Sequence, residues 1–503
     1  MTINLIACVV HYKNRLAIGR NGSLLLRLSE DMRMFQNITR TTTKDPNVKN
    51  VVLMGRKTWF SIPREHRPLK GRLNLVLTRD PELLALSPYP KSFCGIRSLK
   101  FDKNVYFITY EQFVDFYTKT RRDVFVIGGG EIYQQFLNSD NDLLVPDNVY
   151  LTEVSNYKPG FGLEPDTFMQ PPDWRYRLVD VSDAHTELAV NYRFLRYTRE
   201  RVERVTDETV YLDTLRKILS EGNSRGDRTG VGTVSIFGDQ MSFDISETVP
   251  LLTTKRVPWR SCIEELLWFM RGDTDAKILQ KRGVRIWDGN TSREFLDARG
   301  LHHYSPGILG PGYGWQWRFF GADYSQAFAD TSSIDTSKIG GFDQLAYVEH
   351  LLRTDPFSRR IMMSYWNPPD FAKTALVPCH FTCQFYVTER GEDRYLSCHF
   401  VMRSNDMFLG NPFNIFSYAV LTYILAARCG MKPDRLVYSG GDLHIYKNHL
   451  EQVTEQLGRT PRPLPKLVMS HEVATKPIKE ICVEDFNVIG YFPHPAIRAP
   501  MAI

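Results

Sequence analysis

The sequence predicts an α/β domain with a mostly parallel, covered sheet, fused to an α+β domain. Three observations carry this expectation. The chain has 503 residues, well beyond one ordinary hydrophobic core. Up to residue 198, short apolar strand signals alternate with helical patterns, the arrangement that gives a parallel sheet covered on both faces. A charged stretch, RERVERVTDETVY, then carries no aromatic residue until Tyr211, and beyond it long helices mix with alternating strands. The expected divisions are residues 1–198, a short joint over 199–208, and residues 209–503.

The elements follow in order. NLIACVV, NVVLMG, LNLVLT, NVYFI, DVFVIGGG and NVYLTEV read as strands, and YRFLRYT as the strand that closes the first domain. In SEDMRMFQNI, Asp31, Met34, Phe35 and Ile38 share one helical face. A carboxylate heading an apolar stripe is costly unless something pairs with it. The plainer reading makes Asp31 a first-turn acid favoured by the helix dipole behind an N-cap Ser29. The second domain opens on the helix DETVYLDTLRKILSEG and holds long helices at WRSCIEELLWFMRG and NIFSYAVLTYILAARCG. The last is the most apolar stretch, yet too short to span a bilayer. CHFTCQFYV reads as a strand whose simple alternation sets Cys379, Phe381, Cys383 and Phe385 on one face, with His380, Thr382 and Gln384 on the other.

Composition narrows the function classes. Hydrophobic residues at 43% and charged residues at 24% suit a soluble globular protein. A net charge of +6 without a dense Lys/Arg run does not require nucleic acid, and a small anionic substrate fits as well. Eight cysteines without an even framework of spacings suggest free thiols and a reducing, cytoplasmic setting. MTINLIACVVHY lacks a basic n-region and reads as a first strand, not a signal peptide. Zinc is disfavoured: Cys379 and Cys383 are spaced CxxxC with no second pair at finger spacing, and no metal is expected.

Three strand ends in the first domain look built for phosphate. VIGGGEIY sets Gly128, Gly129 and Gly130 before a helix, where backbone N–H groups favour anions. LMGRKTW adds Gly55, Arg56, Lys57 and Thr58, and LVLTRD adds Thr78 and Arg79. Together they suggest a dinucleotide across the carboxyl edge of the sheet, the arginines favouring a 2′-phosphate. Taken singly, each cation is more often a solvated surface residue. In the second domain, Cys379 gains interest from a supply of arginines. Arg228, Arg359, Arg360 and Arg403 would bind a phosphate and depress a thiol pKa.

The order LAIGRNG, acidic helix, VVLMGRKTW, RPLKGRLNLVLTR, VFVIGGGEIYQQFL resembles dihydrofolate reductase over residues 1–198. The resemblance implies NADPH and dihydrofolate. It implies that Asp31 grips the pterin with Thr152 behind it, that Phe35 packs on the aminobenzoyl group, and that Arg72 takes the glutamate α-carboxylate. Around the cofactor it places Ile18, Gly19, Gly55, Arg56, Lys57, Thr58, Thr78, Arg79, Gly128, Gly129, Gly130 and Tyr133, with a cis Gly128–Gly129 bond. The sequence departs from the family in one loop. Leu25 and Leu26 stand where Pro-Trp is usual, losing an indole donor and a restricted backbone.

EELLWFMRGDTD, DRTGVGT, VPCHFTCQFYV, VMRSNDMFLGNPFN and GGDLHIYKNH resemble thymidylate synthase over residues 206–503, and the joined order resembles the bifunctional reductase–synthase family. By that resemblance Cys379 adds to C6 of dUMP, and the C5 carbanion equivalent so created attacks 5,10-methylenetetrahydrofolate. Arg228, Arg403 and Ser404 hold the nucleotide phosphate. Arg359 and Arg360 reach it from a partner subunit, implying a homodimer. Asn414 reads the pyrimidine edge beside His380, and His444 and Tyr446 meet the ribose. Asp406 serves the nucleotide and the folate. Glu265 organises a proton-relay water, Tyr313 sits near the departing C5 proton, and Trp287 and Ile503 line the folate site. Met402 replaces a usual Gln, and Asn411 a usual apolar residue. Two readings stay open: both half-reactions proceed, or the leucine loop leaves the reductase domain an impaired scaffold. A nucleic-acid-binding regulator trails both.

Overall fold

The computed structural model describes residues 2–40, 49–86, 104–120, 122–160, 163–200 and 207–501. It divides into two compact units, Met1–Arg204 and Val205–Ile503.

The first unit is built on twelve strands: β1 (Ile3–Tyr12), β2 (Arg15–Arg20), β3 (Ser23–Leu24), β4 (Val51–Gly55), β5 (Leu73–Leu77), β6 (Val105–Ile108), β7 (Val124–Val126), β8 (Asn148–Ser155), β9 (Thr167–Met169), β10 (Tyr176–Val181), β11 (His185–Glu187) and β12 (Val190–Arg199). The main sheet runs β10-β12-β8-β1-β7-β4-β5-β6. From β8 to β6 every pairing is parallel, whereas β12 lies antiparallel to β8 and β10. The central strands β4 and β5 are buried at every position, as expected for strands covered on both faces. The α/β expectation holds. Sequence reading missed β2, β3 and β9–β11, which are short or partly exposed and lack a continuous apolar run. β1 turns into β2 through Lys13 and Asn14 at φ 46° and 64°, the left-handed pair of a two-residue hairpin.

The second unit carries β13 (Asn223–Arg225), β14 (Thr233–Asp244), β15 (Met362–Ser364), β16 (His380–Arg390), β17 (Asp393–Asp406) and β18 (Lys432–Tyr446), ordered β13-β14-β18-β17-β16-β15. Only β17–β18 is parallel, so the unit is α+β as expected. β19 (Lys466–Met469) and β20 (Phe486–Ile489) form a separate pair. The helix Gly410–Arg428 packs across β17 and β18 and against the helix Trp259–Arg271, which explains why so apolar a segment lies inside a globular core. The latter helix ends at Gly272, φ 83°, where a Cβ would lie 2.7 Å from the Phe319 ring.

The simple alternation expected across Cys379–Phe385 fails. Phe381 is 41% exposed while Cys383 and Phe385 are buried. A β-bulge explains this: His380 pairs with Met402 and Thr382 with Val401, leaving Phe381 as the extra residue. The bulge resets the side-chain phase at the end of the strand next to Cys379.

Candidate active sites

In the first unit, the helix Ser29–Arg40 places Asp31 in its first turn. Ser29 is not an N-cap. It is the first helical residue, and its backbone N–H and hydroxyl both donate to the Glu187 carboxylate, at 2.9 and 2.8 Å. An anion thus already sits on the helix N-terminus, and Asp31 is left to serve something else. Asp31 is 8% exposed and accepts a 2.5 Å hydrogen bond from Thr152 on β8. Burial pushes its carboxyl up; the Thr152 hydroxyl opposes this and the Glu187 charge adds to it. Asp31, Met34, Phe35 and Ile38 line a cleft together with Ile6, Thr152 and Phe194.

Arg72 lies 5.7 Å above the Phe35 ring, 4% exposed. It donates to the Thr39 hydroxyl at 2.8 Å and to the Lys70 carbonyl at 3.1 Å, and no carboxylate pairs with it among the described residues. Burial, then the nearby Arg40, push its pKa down to about 10. A buried guanidinium without an anion is costly. The helix Ser29–Arg40 therefore presents a carboxylate and an apolar ring to this cleft, and beside that ring stands a cation that no described carboxylate neutralises. This arrangement suits an elongated ligand with a donor-rich head and an acidic tail.

The strand ends expected to hold phosphate come together in part. The Gly128–Gly129 peptide is cis, and Thr58 Oγ1 would lie only 3.3 Å from a Cβ on Gly129. Gly130 lacks a side chain for a packing reason: a Cβ there would sit 2.3 Å from the Phe168 carbonyl on β9 and 3.7 Å from Ile18. Gly19 pairs with Leu24 across β2 and β3. Gly55 donates its N–H to the Gly128 carbonyl at 2.8 Å. Tyr133 is buried and donates to the Ile6 carbonyl at 2.7 Å. Arg56 pairs with Asp80 at 2.8 Å and Lys57 with Glu131 at 3.9 Å, both at the surface, where such pairs exchange readily. Thr78 is buried and its Oγ1 accepts from the Asp80 N–H at 3.0 Å, while Arg79 is exposed.

In the second unit, Cys379 precedes β16. Its N–H donates to the Tyr313 hydroxyl at 2.8 Å, and Arg403 approaches its Sγ to 3.9 Å. Arg403 is strapped to this loop by Nε to the Pro378 carbonyl at 2.8 Å and Nη2 to the Val377 carbonyl at 3.1 Å. The expected lowering of the thiol pKa is not the net result. Burial raises it and outweighs the opposing Arg403 and Arg228 charges and the Tyr313 contact. Residue 379 still keeps part of its surface open, although protein surrounds the sulfur closely.

Beside it a small cavity is lined by Glu265, Tyr313, His380 and Asn414. Trp287 Nε1 donates to Glu265 Oε1 at 2.8 Å. Burial pushes Glu265 up to about 7 against that hydrogen bond. Burial drives His380 down to about 3, so the imidazole is neutral. The parallel register sets Ser404 opposite Asp442 and Asp406 opposite His444, which brings these four to one end of β17 and β18. His444 Nδ1 meets Asp442 at 3.0 Å and its ring abuts Tyr446 at 5.1 Å. Asp406 Oδ1 accepts the N–H groups of Phe408 and Leu409, at 2.9 and 3.2 Å. Arg228, Arg359 and Arg360 are exposed, and Ile503 lies outside the described residues. Met402 is buried, its sulfur accepting from Asn405 at 3.1 Å, and Asn411 is fully buried.

Residues 4–199 match the family model described as dihydrofolate reductase, and residues 209–503 the one described as thymidylate synthase. Similar curated proteins include the bifunctional dihydrofolate reductase-thymidylate synthase of Glycine max, 40% identical over 97% of this chain and 93% of that protein. The protein of that name from Leishmania major is 38% identical over 97% of this chain and 93% of its own length. The chain belongs to the bifunctional dihydrofolate reductase–thymidylate synthase family.

It is therefore an enzyme with a reductase domain and a synthase domain, and an impaired reductase is not favoured. The reductase loop bearing Leu25 and Leu26 is packed: both leucines lie against Val10, Ala17, Leu28, Val154, Val190 and Tyr192. The synthase domain holds a residue that sequence reading missed. Lys255 is buried, donates to the Phe408 carbonyl and lies 3.5 Å from the Phe408 ring. Burial pushes its pKa down to about 7, against the pull of Asp406. The local string TTKR has no periodicity that marks such a lysine as interior. Among the described residues no helix is long and apolar enough to cross a membrane.

Proposed function

We propose that the synthase domain converts dUMP and 5,10-methylenetetrahydrofolate to dTMP and dihydrofolate, and that the reductase domain reduces that dihydrofolate to tetrahydrofolate with NADPH. The observation that carries the synthase assignment is Cys379 beneath Arg403, beside a cavity walled by Glu265, Tyr313, His380 and Asn414. Arg228, Arg403 and Ser404 hold the nucleotide phosphate. Arg359 and Arg360 complete that site from the second subunit of a homodimer, consistent with their exposure. The Cys379 thiol gives its proton to water, Sγ bonds to C6 of the uracil, and the C5–C6 π electrons move toward C5 and O4. Glu265, half-protonated near neutrality, passes protons through water in both directions. Asp406 and Trp287 face the folate.

In the reductase site Asp31 accepts two N–H bonds from the pterin, which neutralises the cost of its burial and raises the basicity of N5. Phe35 packs on the aminobenzoyl ring and Arg72 neutralises the tail carboxylate. NADPH supplies the hydride. Thr58, Thr78, Arg79, Lys57 and Arg56 hold its phosphates, and Ile18, Gly19, Gly128 and Tyr133 border its ring. We assign the enzyme to the cytoplasm, in keeping with its free thiols.

A paired assay tests both halves: dihydrofolate release on adding dUMP and methylenetetrahydrofolate, then NADPH oxidation on adding dihydrofolate. Both are expected above background. Substituting Leu26→Trp is expected to change NADPH turnover less than about tenfold, because Leu26 already packs, partly buried, against the apolar cluster of Val10, Ala17 and Leu28. Near-zero turnover restored by the tryptophan would reverse this view of the loop.

Glu265 gives a pH prediction. The synthase pH–rate profile should show an inflection near pH 7, where Glu265 titrates. Glu265→Gln should remove it and cost about 10²–10⁴-fold in kcat. Trp287→Phe deletes the hydrogen bond that holds this pKa down, so the inflection should move to higher pH. An inflection that stays put excludes Glu265 as its source.

A further inference from the structure

Arg403 is exposed on β17, and among the described residues no carboxylate pairs with it. Holding so long a side chain in one place costs rotamer entropy, so something must fix it. Its backbone is tied to the nucleophile, the Arg403 N–H donating to the Cys379 carbonyl at 2.9 Å. Its side chain is strapped along one edge, by Nε to the Pro378 carbonyl and Nη2 to the Val377 carbonyl. Those two bonds leave the guanidinium plane free to hinge about that edge. Nη1 makes no bond to the described residues, so its two N–H groups are left for an anion.

An aromatic residue that the roles above leave unused faces that plane. The Arg403 guanidinium carbon lies 5.6 Å from the centre of the Trp366 ring, over its face. Trp366 is itself braced. Phe371 meets it edge to face at 4.5 Å, and Phe381, the extra residue of the β-bulge, lies 6.0 Å away. The backbone is held on both sides of Trp366. Before it, the Tyr365 N–H donates to the Phe381 carbonyl at 3.0 Å. After it, the Asn367 amide donates to buried Asp370 at 2.9 Å and to buried Gln316 at 3.2 Å. None of the three aromatic residues lines the cavity beside Cys379.

We propose that Trp366, braced by Phe371 and Phe381, is a positioning residue whose indole face holds the Arg403 guanidinium at the angle that presents Nη1 to the nucleotide phosphate. The carbonyl straps set where Arg403 stands, and the ring sets how it is turned. An aromatic face suits this task. It attracts the cation without occupying an N–H donor and without neutralising the charge that the phosphate needs, both of which a carboxylate would do. This rests on the synthase reading above.

The test uses the full chain and compares dissociation constants for dUMP and for deoxyuridine, which lacks the phosphate. Trp366→Leu removes the aromatic face and keeps apolar bulk. The deoxyuridine-to-dUMP ratio of constants should fall about three- to tenfold, within the worth of a cation–π contact, with dUMP weakened and deoxyuridine unchanged. Trp366→Phe, which keeps a smaller face, should restore most of the ratio. Tetrafluorotryptophan at position 366 keeps the shape of the side chain and drains its π density, so the ratio should fall as in Trp366→Leu. If Trp366→Leu does not fold, the fluorinated protein decides alone. An unchanged ratio, or equal weakening of both ligands, overturns the proposal. Unsubstituted protein that forms no dTMP overturns the synthase reading instead, and that measurement comes first.

Discussion

Cys379→Ser is expected to lower dTMP formation by at least roughly 10⁴-fold, since loss of a nucleophile removes the step that the rest of the site serves. NADPH oxidation with added dihydrofolate should be unaffected, because Cys379 belongs to the second unit and the reductase cleft to the first. The thiol is the right atom on two grounds. It sits 3.9 Å from the Arg403 guanidinium, and its N–H is fixed by Tyr313. Burial nonetheless holds its pKa up, so the free enzyme stores a thiol and not a thiolate. Covalent addition is therefore expected to speed up as pH rises, until a second group limits it. Labelling checks the assignment directly. With 5-fluoro-dUMP, fluorine replaces the C5 proton that must leave, so the adduct is trapped. One label per chain on Cys379, dependent on methylenetetrahydrofolate, is expected, and none in Cys379→Ser. Label at any other cysteine removes Cys379 from its role.

Asp31→Asn carries the second large effect, and it has two signs. NADPH-dependent turnover of dihydrofolate at neutral pH should fall about 10²–10⁴-fold, because an amide cannot accept both pterin N–H groups or support protonation of N5. Stability of the ligand-free protein should rise. Burial raises the folded-state pKa of Asp31 above its unfolded value, so the folded state binds more protons across that window. Stability contributed by this group is present below the unfolded pKa and is lost as pH rises through the folded one. At neutral pH the buried carboxylate thus opposes folding, and the neutral amide relieves it. Recovery of about 1 kcal/mol would lift the Tm of the first unit by about 2–4 °C. A lower Tm together with unchanged turnover would make Asp31 a purely structural residue. The comparison is best made without folate, since a bound ligand stabilises the native state by mass action.

Much of the fold was legible because hydrophobic periodicity is local. β1, β4, β5, β6, β7 and β8 each carry an apolar run, β12 sets aromatic and apolar residues among polar ones, and the long helices each carry a stripe or a continuous apolar segment. β2, β9, β10 and β11 were not, because their stability comes from the strands beside them and not from their own composition. The bulge at Phe381 was invisible for a related reason: an extra residue in one strand is defined only by the count in its partner. Ser29 misled for want of Glu187, which is 158 positions away and accepts both the N–H and the hydroxyl of Ser29.

The sequence by itself determined the chemistry available: a lone acid on an apolar helical face, cations and glycines at strand ends, and a cysteine among arginines. Those are statements about which atoms exist and which neighbours within a turn or a strand they share. Only the tertiary structure decided how those atoms ionise and what they face. It made Glu265 titrate near neutrality, kept His380 neutral and left Arg72 without a carboxylate among the described residues. Desolvation and hydrogen-bond partners set each of these, and both come from residues scores of positions apart.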